Sequence, residues 1–206
     1  MKTHDTIRTM TGAKARTSFG TTKTALMVID FQNEYFSGRM PIPNGPAALS
    51  NAKRLIEWAD EHGIPVYHVQ HVTPPGAPIF ADGSSTVEFH PDIAPAPHHK
   101  TVRKTSVSVF PTTDIDAQLK NAKIETLIIS GLMTHACVSG AARDAVPLGY
   151  EVVIASDACA TRDITGPDGK TIPHETLHNA SLVTLSDTFA EILDTDALLS
   201  LPIEGA

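Results

Sequence analysis

The stretch Thr126–Gly149, TLIISGLMTHACVSGAARDAVPLG, constrains the fold more than any other part of the chain. Thr126-Leu127-Ile128-Ile129-Ser130 is a short apolar, β-branched run of the kind buried on both faces of a parallel sheet. Gly131 breaks it. Beyond the break, Val138, Ala141, Ala142, Ala145 and Leu148 fall on one face of a helix that starts near His135 and ends at Pro147 and Gly149. Thr134 reads as the N-cap, which puts Cys137 at the third helical position. There the helix dipole and unpaired N–H groups favour a thiolate. Open α/β sheets also bind their ligands at such strand-to-helix junctions. Two readings of Cys137 stay open on this segment: a nucleophile, or the small buried hydrophobe that most free cysteines are.

The rest of the chain supplies partners for that strand. Ala25-Leu26-Met27-Val28-Ile29-Asp30 is an apolar strand ending in an acid. Asn44-Gly45-Pro46 opens a helix that runs to about His62, with proline near its first turn. Gly63 closes it and Pro65 leads into a strand, Val66–His71. Val72–His99 is proline-rich and without period, and loops of that length cover sites or make oligomer contacts. Lys100–Lys104 reads as a short extended segment, followed by a helix at Asp114–Asn121 and a strand at Glu151–Ala155. A helix near Pro173–Ala180, a last strand at Leu182–Leu185 and a final helix over about Thr188–Leu199 complete the alternation. This order predicts a single α/β domain, a doubly wound, mostly parallel sheet with helices on both faces.

Residues 1–22 are polar and acid-poor. They read as an arm, frayed or pinned against a neighbouring subunit, with an organelle-targeting segment as the alternative. Residues 23–206 form the domain proper. A chain of 206 residues with a formal charge of -7 suits neither nucleic acid nor an anionic membrane as partner. Its two cysteines make no disulfide framework and suit a reducing cytoplasm.

Asp30, Lys104 and Cys137 stand at three predicted strand ends. A carboxylate beside a thiol can take its proton and return it to a leaving amine. A lysine beside both holds the carboxylate ionised and favours the thiolate. Asp30 by itself reads equally well as a loop-bonding group, and Cys159 as a structural or pocket-wall thiol.

Three segments extend this pattern. Leu26-Met27-Val28-Ile29-Asp30-Phe31-Gln32-Asn33, then Lys104-x-x-x-Ser108-x-Phe110, then Gly131-Leu132-Met133-Thr134-His135-Ala136-Cys137-Val138 occur in this order. Together with Ala141-Ala142-Arg143-Asp144-Ala145 and the strand ending Asp157-Ala158, they resemble the isochorismatase-like cysteine hydrolases. That family includes nicotinamidases, N-carbamoylsarcosine amidases, ureidoacrylate amidases and biuret hydrolases. The resemblance runs from about Ala25 to Thr188. It implies a Rossmann-like fold and a triad of Asp30, Lys104 and Cys137. It also implies a cis peptide at Leu132–Met133 and an oxyanion hole made by the backbone N–H groups of Met133 and Cys137.

The activity implied is cysteine-dependent hydrolysis of a non-peptide C–N bond in a small amide, carbamoyl or ureido substrate, through a thioester. Hydrolysis of a vinyl ether, a non-catalytic scaffold and a redox-sensing Cys137 are the other readings. Phe31, Gln32, Phe36, His71, Phe110 and His135 are expected to line the substrate pocket. Relatives assemble as dimers or tetramers, so a homo-oligomer is expected. Nicotinamidases carry zinc on an Asp-x-His and a further His, and no such motif follows the second strand here. His68 and His71, three apart on a strand, face opposite sides, and His98-His99 falls in the proline-rich loop, where it reads as solvated. No catalytic metal and no cofactor are expected.

Overall fold

The computed structural model describes residues 4–205. In chain order the elements are α1 (Ile7–Met10), β1 (Phe19–Gly20), β2 (Thr24–Ile29), α2 (Gly45–Glu61), β3 (Val66–His71), β4 (Lys100–Lys104), α3 (Ile115–Asn121) and β5 (Thr126–Leu132). There follow α4 (Ser139–Ala145), β6 (Glu151–Ala160), β7 (Ile164–Thr165), β8 (Thr171–Ile172), α5 (His174–Thr188), β9 (Glu191–Leu193), α6 (Thr195–Leu199) and β10 (Ile203–Glu204). Six strands form one sheet in the order β4-β3-β2-β5-β6-β9. Every pairing in it is parallel.

Alternation along β2 builds two cores, one on each face. Leu26 and Val28 join Ala52, Leu55 and Ala59 of α2 and Leu198 of α6. Ala25, Met27 and Ile29 join Leu119 of α3, Ala141 and Ala142 of α4 and Leu185 of α5. The sheet is doubly wound because every central strand is apolar on both sides. From β2 the chain winds outward through β3 to β4 and then returns to β2's other flank as β5. The strand order reverses between β2 and β5, and ligands of open α/β sheets bind at such a point, beyond the carboxyl ends of the strands.

Three local expectations are corrected. Leu182–Leu185 is not a strand but part of α5, a continuous helix. Leu182 and Leu185, three apart, are buried while Val183 is 66% exposed, which is a helical face that a four-residue apolar run does not disclose. The helix expected over Thr188–Leu199 is instead β9 followed by α6, whose start is capped by the Asp194 carboxylate accepting from Ala197 N–H at 2.7 Å. The helix after Gly131 begins as a π-helical turn, Thr134–Val138, and becomes α-helical only at Ser139. Thr134 does not cap it: its hydroxyl lies 2.8 Å from His178 Nδ1 on α5.

Of the polar arm, residues 4–22 lie along their own chain. Ile7 N–H donates to Asp187 and Arg8 to the Ala190 carbonyl, while Arg16 pairs with Glu151. Phe19 is fully buried, edge-on to Trp58 at 5.7 Å. The long loop also folds back on its own chain: Asn33 N–H donates to Glu88 O and His90 N–H to Phe31 O.

Candidate active site

β2 ends at the switch point with Asp30, held at a φ of 55°. A positive φ is unusual for a residue other than glycine, and such strain gathers at functional sites. Alongside, β5 passes so close to β2 that a Cβ on Gly131 would stand 2.6 Å from both Ile29 Cβ and Ile29 O. Only glycine fits there. The Leu132–Met133 peptide is cis, and the turn after it carries Cys137.

The third group arrives from the sheet edge. Lys104 ends β4, two strands from β2, and its side chain is fully buried. Lys104 Nζ lies 2.8 Å from Asp30 Oδ2, and both side chains are fully buried. The same nitrogen lies 3.3 Å from Cys137 Sγ, 2.8 Å from His71 Nδ1 and 3.2 Å from Ser106 O. Burial opposes its charge, but Asp30 and Cys137 outweigh burial and raise the Lys104 pKa. Neither oxygen of Asp30 has a well-aligned hydrogen bond, so the ionic contact is what compensates the carboxylate.

The thiol departs from the expectation of a resting thiolate. Burial first, and then the Asp30 charge, push the Cys137 pKa up, and Lys104 does not offset them. Desolvation outweighs the helix terminus because the turn at Cys137 is short and the sulfur is shielded from water. Asp30, whose carboxylate lies within 4.8 Å of the sulfur, is the adjacent acceptor for its proton. Ala136 and Val138 N–H both donate to Met133 O. Outside the helix's own ladder, no described backbone bond uses the N–H groups of Met133 or Cys137.

Of the residues expected to line a pocket, His71 stands at the triad, and His135 lies 2.6 Å from Thr161 Oγ1. The others have contacts of their own. Gln32 is a buried clamp: its carbonyl accepts from His71 N–H at 2.9 Å, and its amide donates to His71 O and Val87 O. Phe31 is core. Phe36 packs on His90 beside Pro46 and Leu49, over α2. Phe110 packs on Tyr150, which precedes β6 and so lies at the opposite end of the strands from Cys137. His99 is not solvated, its side chain being 3% exposed beside His68.

Two residues were missed from the sequence. Tyr35 is buried, and burial together with the Asp30 and Cys137 charges raises its phenol well above the ordinary value. Arg162, just beyond β6, acts electrostatically on both Tyr35 and His135. Neither has a signal in sequence, since a tyrosine in a turn and an arginine after a strand are commonplace.

Asp30, His71 and Cys137 offer three metal-ligating atoms within 4.8 Å of one another. The Lys104 ammonium already stands at their focus, so the donor set does not fit a resident metal ion.

A buried Asp–Lys–Cys cluster at the switch point of a parallel α/β sheet defines the class. The isochorismatase domain model matches residues 24–197, and the chain belongs to the isochorismatase family. It is 35% identical over 178 residues to the isochorismatase family protein YddQ of Bacillus subtilis, covering 85% of this chain and 98% of that one. It is 34% identical over 165 residues to a streptothricin hydrolase of Streptomyces noursei, covering 79% of this chain and 59% of that one. An isochorismatase crystal structure from Pseudomonas putida superposes with a TM-score of 0.88 at 29% identity, covering 94% of this chain and 98% of that one. Among the described residues no helix is long and apolar enough to cross a membrane.

Proposed function

We propose that the chain is a cysteine hydrolase of a non-peptide C–N bond in a small amide, carbamoyl or ureido compound. The observation that carries this reading is the single buried Lys104 ammonium in contact with both Asp30 and Cys137. Asp30 takes the Cys137 proton as the sulfur attacks the carbonyl carbon. The developing oxyanion is received by the N–H groups of Met133 and Cys137, donors of a kind worth about 2.7–4 kcal/mol in a transition state. Collapse breaks the C–N bond, and Asp30 gives its proton to the departing amine. Water then attacks the thioester, yielding one proton to Asp30 and its hydroxyl to the acyl carbon. The free sulfur recovers a proton from Asp30, which closes the cycle. Lys104 holds the negative charge as it passes between carboxylate and sulfur.

The vinyl-ether and scaffold readings need no such thiol, and the intact cluster favours the hydrolase. Ammonia release from nicotinamide, N-carbamoyl amino acids, ureidoacrylate-like compounds and biuret tests it, with Cys137→Ala and a chelator as controls. Release that the variant abolishes and the chelator leaves alone supports the reading. A wild-type level of release from Cys137→Ala overturns it.

The reading includes a cytoplasmic setting, supported by two unpaired cysteines. It also includes a dimer or tetramer, supported by exposed Val107, Ile172 and Val183. Light scattering that finds a monomer overturns the oligomer.

A further inference from the structure

At the other end of β4 from Lys104, Asp60 of α2 faces His98 and His99, which directly precede the strand. The two histidines converge on one atom. His98 Nε2 lies 2.9 Å and His99 Nε2 3.0 Å from Asp60 Oδ1. The three donor atoms lie within 4.8 Å of one another. We propose that Asp60, His98 and His99 form a binding site for a borderline-soft divalent cation of the zinc class, separate from the catalytic cluster.

Two imidazoles and a carboxylate are a zinc-type donor set, whereas calcium and magnesium prefer oxygen alone. Bonds of about 2.1 Å in tetrahedral geometry separate ligand atoms by about 3.4 Å. The present spacings must therefore open by roughly 0.4–0.5 Å. Asp60 and His98 can supply that movement, because their side chains are 36% and 66% exposed.

His99 is the anchored ligand. Its ring is stacked on that of His68 at 5.0 Å, and its Nδ1 lies 3.1 Å from both His68 Nε2 and Ala96 N. Metal-bound imidazoles donate from their second nitrogen, for which His68 Nε2 is the acceptor in reach. In the metal-free arrangement Ala96 N–H donates to Nδ1, so the ring proton is on Nε2 and points at Asp60. Metal binding moves that proton to Nδ1, which displaces the Ala96 N–H and lets Nδ1 donate to His68 Nε2, and frees the Nε2 lone pair for the ion. His68 is buried, which gives this support a fixed position.

The test is a calorimetric titration of tag-free, full-length protein with zinc, repeated with cobalt(II) for its visible spectrum. One ion per chain is expected, with cobalt bands of four-coordinate intensity. His98→Ala and Asp60→Asn are exposed changes that leave the core intact, and each should weaken binding by about tenfold or more. Cys137→Ala should leave binding unchanged. Saturable binding that His98→Ala and Asp60→Asn leave within twofold overturns the site, as does loss of binding in Cys137→Ala. An absence of saturable binding in the micromolar range also overturns it.

Discussion

His71 Nδ1 lies 2.8 Å from Lys104 Nζ, on an ammonium that also contacts Asp30 and Cys137. An ammonium offers protons only, so His71 must present a lone pair and be neutral. Gln32 fixes the His71 backbone from both sides, at its N–H and at its carbonyl. His71 is therefore a positioning residue for the lysine, held by a glutamine that touches no reacting atom. His71→Ala should lower kcat by about 10–100-fold, roughly 1.4–2.8 kcal/mol, with KM little changed. Steady-state kinetics on the substrate found by the amide panel checks this, and the circular dichroism spectrum should be unaltered.

Acid should undo the same contact. Burial first, and then the Lys104 charge, hold the His71 pKa below its ordinary 6.5. The folded state thus resists protonation, while the unfolded chain takes up its proton as pH falls through 6.5. The stability His71 contributes is present above that pH and is lost as pH falls toward its lowered native value. Urea midpoints measured from pH 7 to pH 4 should fall less steeply in His71→Ala than in the wild type.

Breaking the buried ion pair should cost more than removing it. Lys104→Met leaves a fully buried Asp30 charge uncompensated and should destabilise the protein by about 3–5 kcal/mol. Adding Asp30→Asn removes the orphaned charge, so the double variant should lose less than the sum of the two single losses. Urea denaturation of the four proteins in this cycle measures the coupling.

The thiol should be sluggish at rest. Because Asp30 pushes the Cys137 pKa up and Lys104 pulls it down, Asp30→Asn should shift the pH profile of iodoacetamide alkylation to lower pH. Lys104→Met should shift it to higher pH. Equal profiles in all three proteins would contradict the electrostatic account.

Gly131 has no room for a side chain. With Ile29 atoms 2.6 Å from where a methyl group would stand, Gly131→Ala must push β5 away from β2 where Asp30 and the Cys137 turn are set. A loss of about 1–3 kcal/mol is expected from the overpacking. Thermal unfolding gives the stability loss, and activity should fall by more than the unfolded fraction explains.

The strand–glycine–helix unit, the alternation of strands and helices, and the three residues that meet at the site are legible in the chain alone. These are local properties: an apolar β-branched run is a buried strand in almost any context, and the motif spacing is fixed along the chain. Whether Leu182–Leu185 was strand or helix was beyond it, because four apolar residues satisfy both periods and only the partner surface chooses. The direction in which the Cys137 pKa moves is set in three dimensions as well. Local sequence offered a helix start and a lysine, both favouring thiolate, but burial and a carboxylate from 107 positions earlier in the chain outweigh them. Gln32 was legible as part of a motif, though not as the clamp that sets His71. The Asp60–His98–His99 cluster needed the fold outright, since α2 and the loop before β4 meet only once the sheet has formed. Chemistry carried by neighbours in sequence can be read from the chain; desolvation and charge come from neighbours in space, and only packing supplies those.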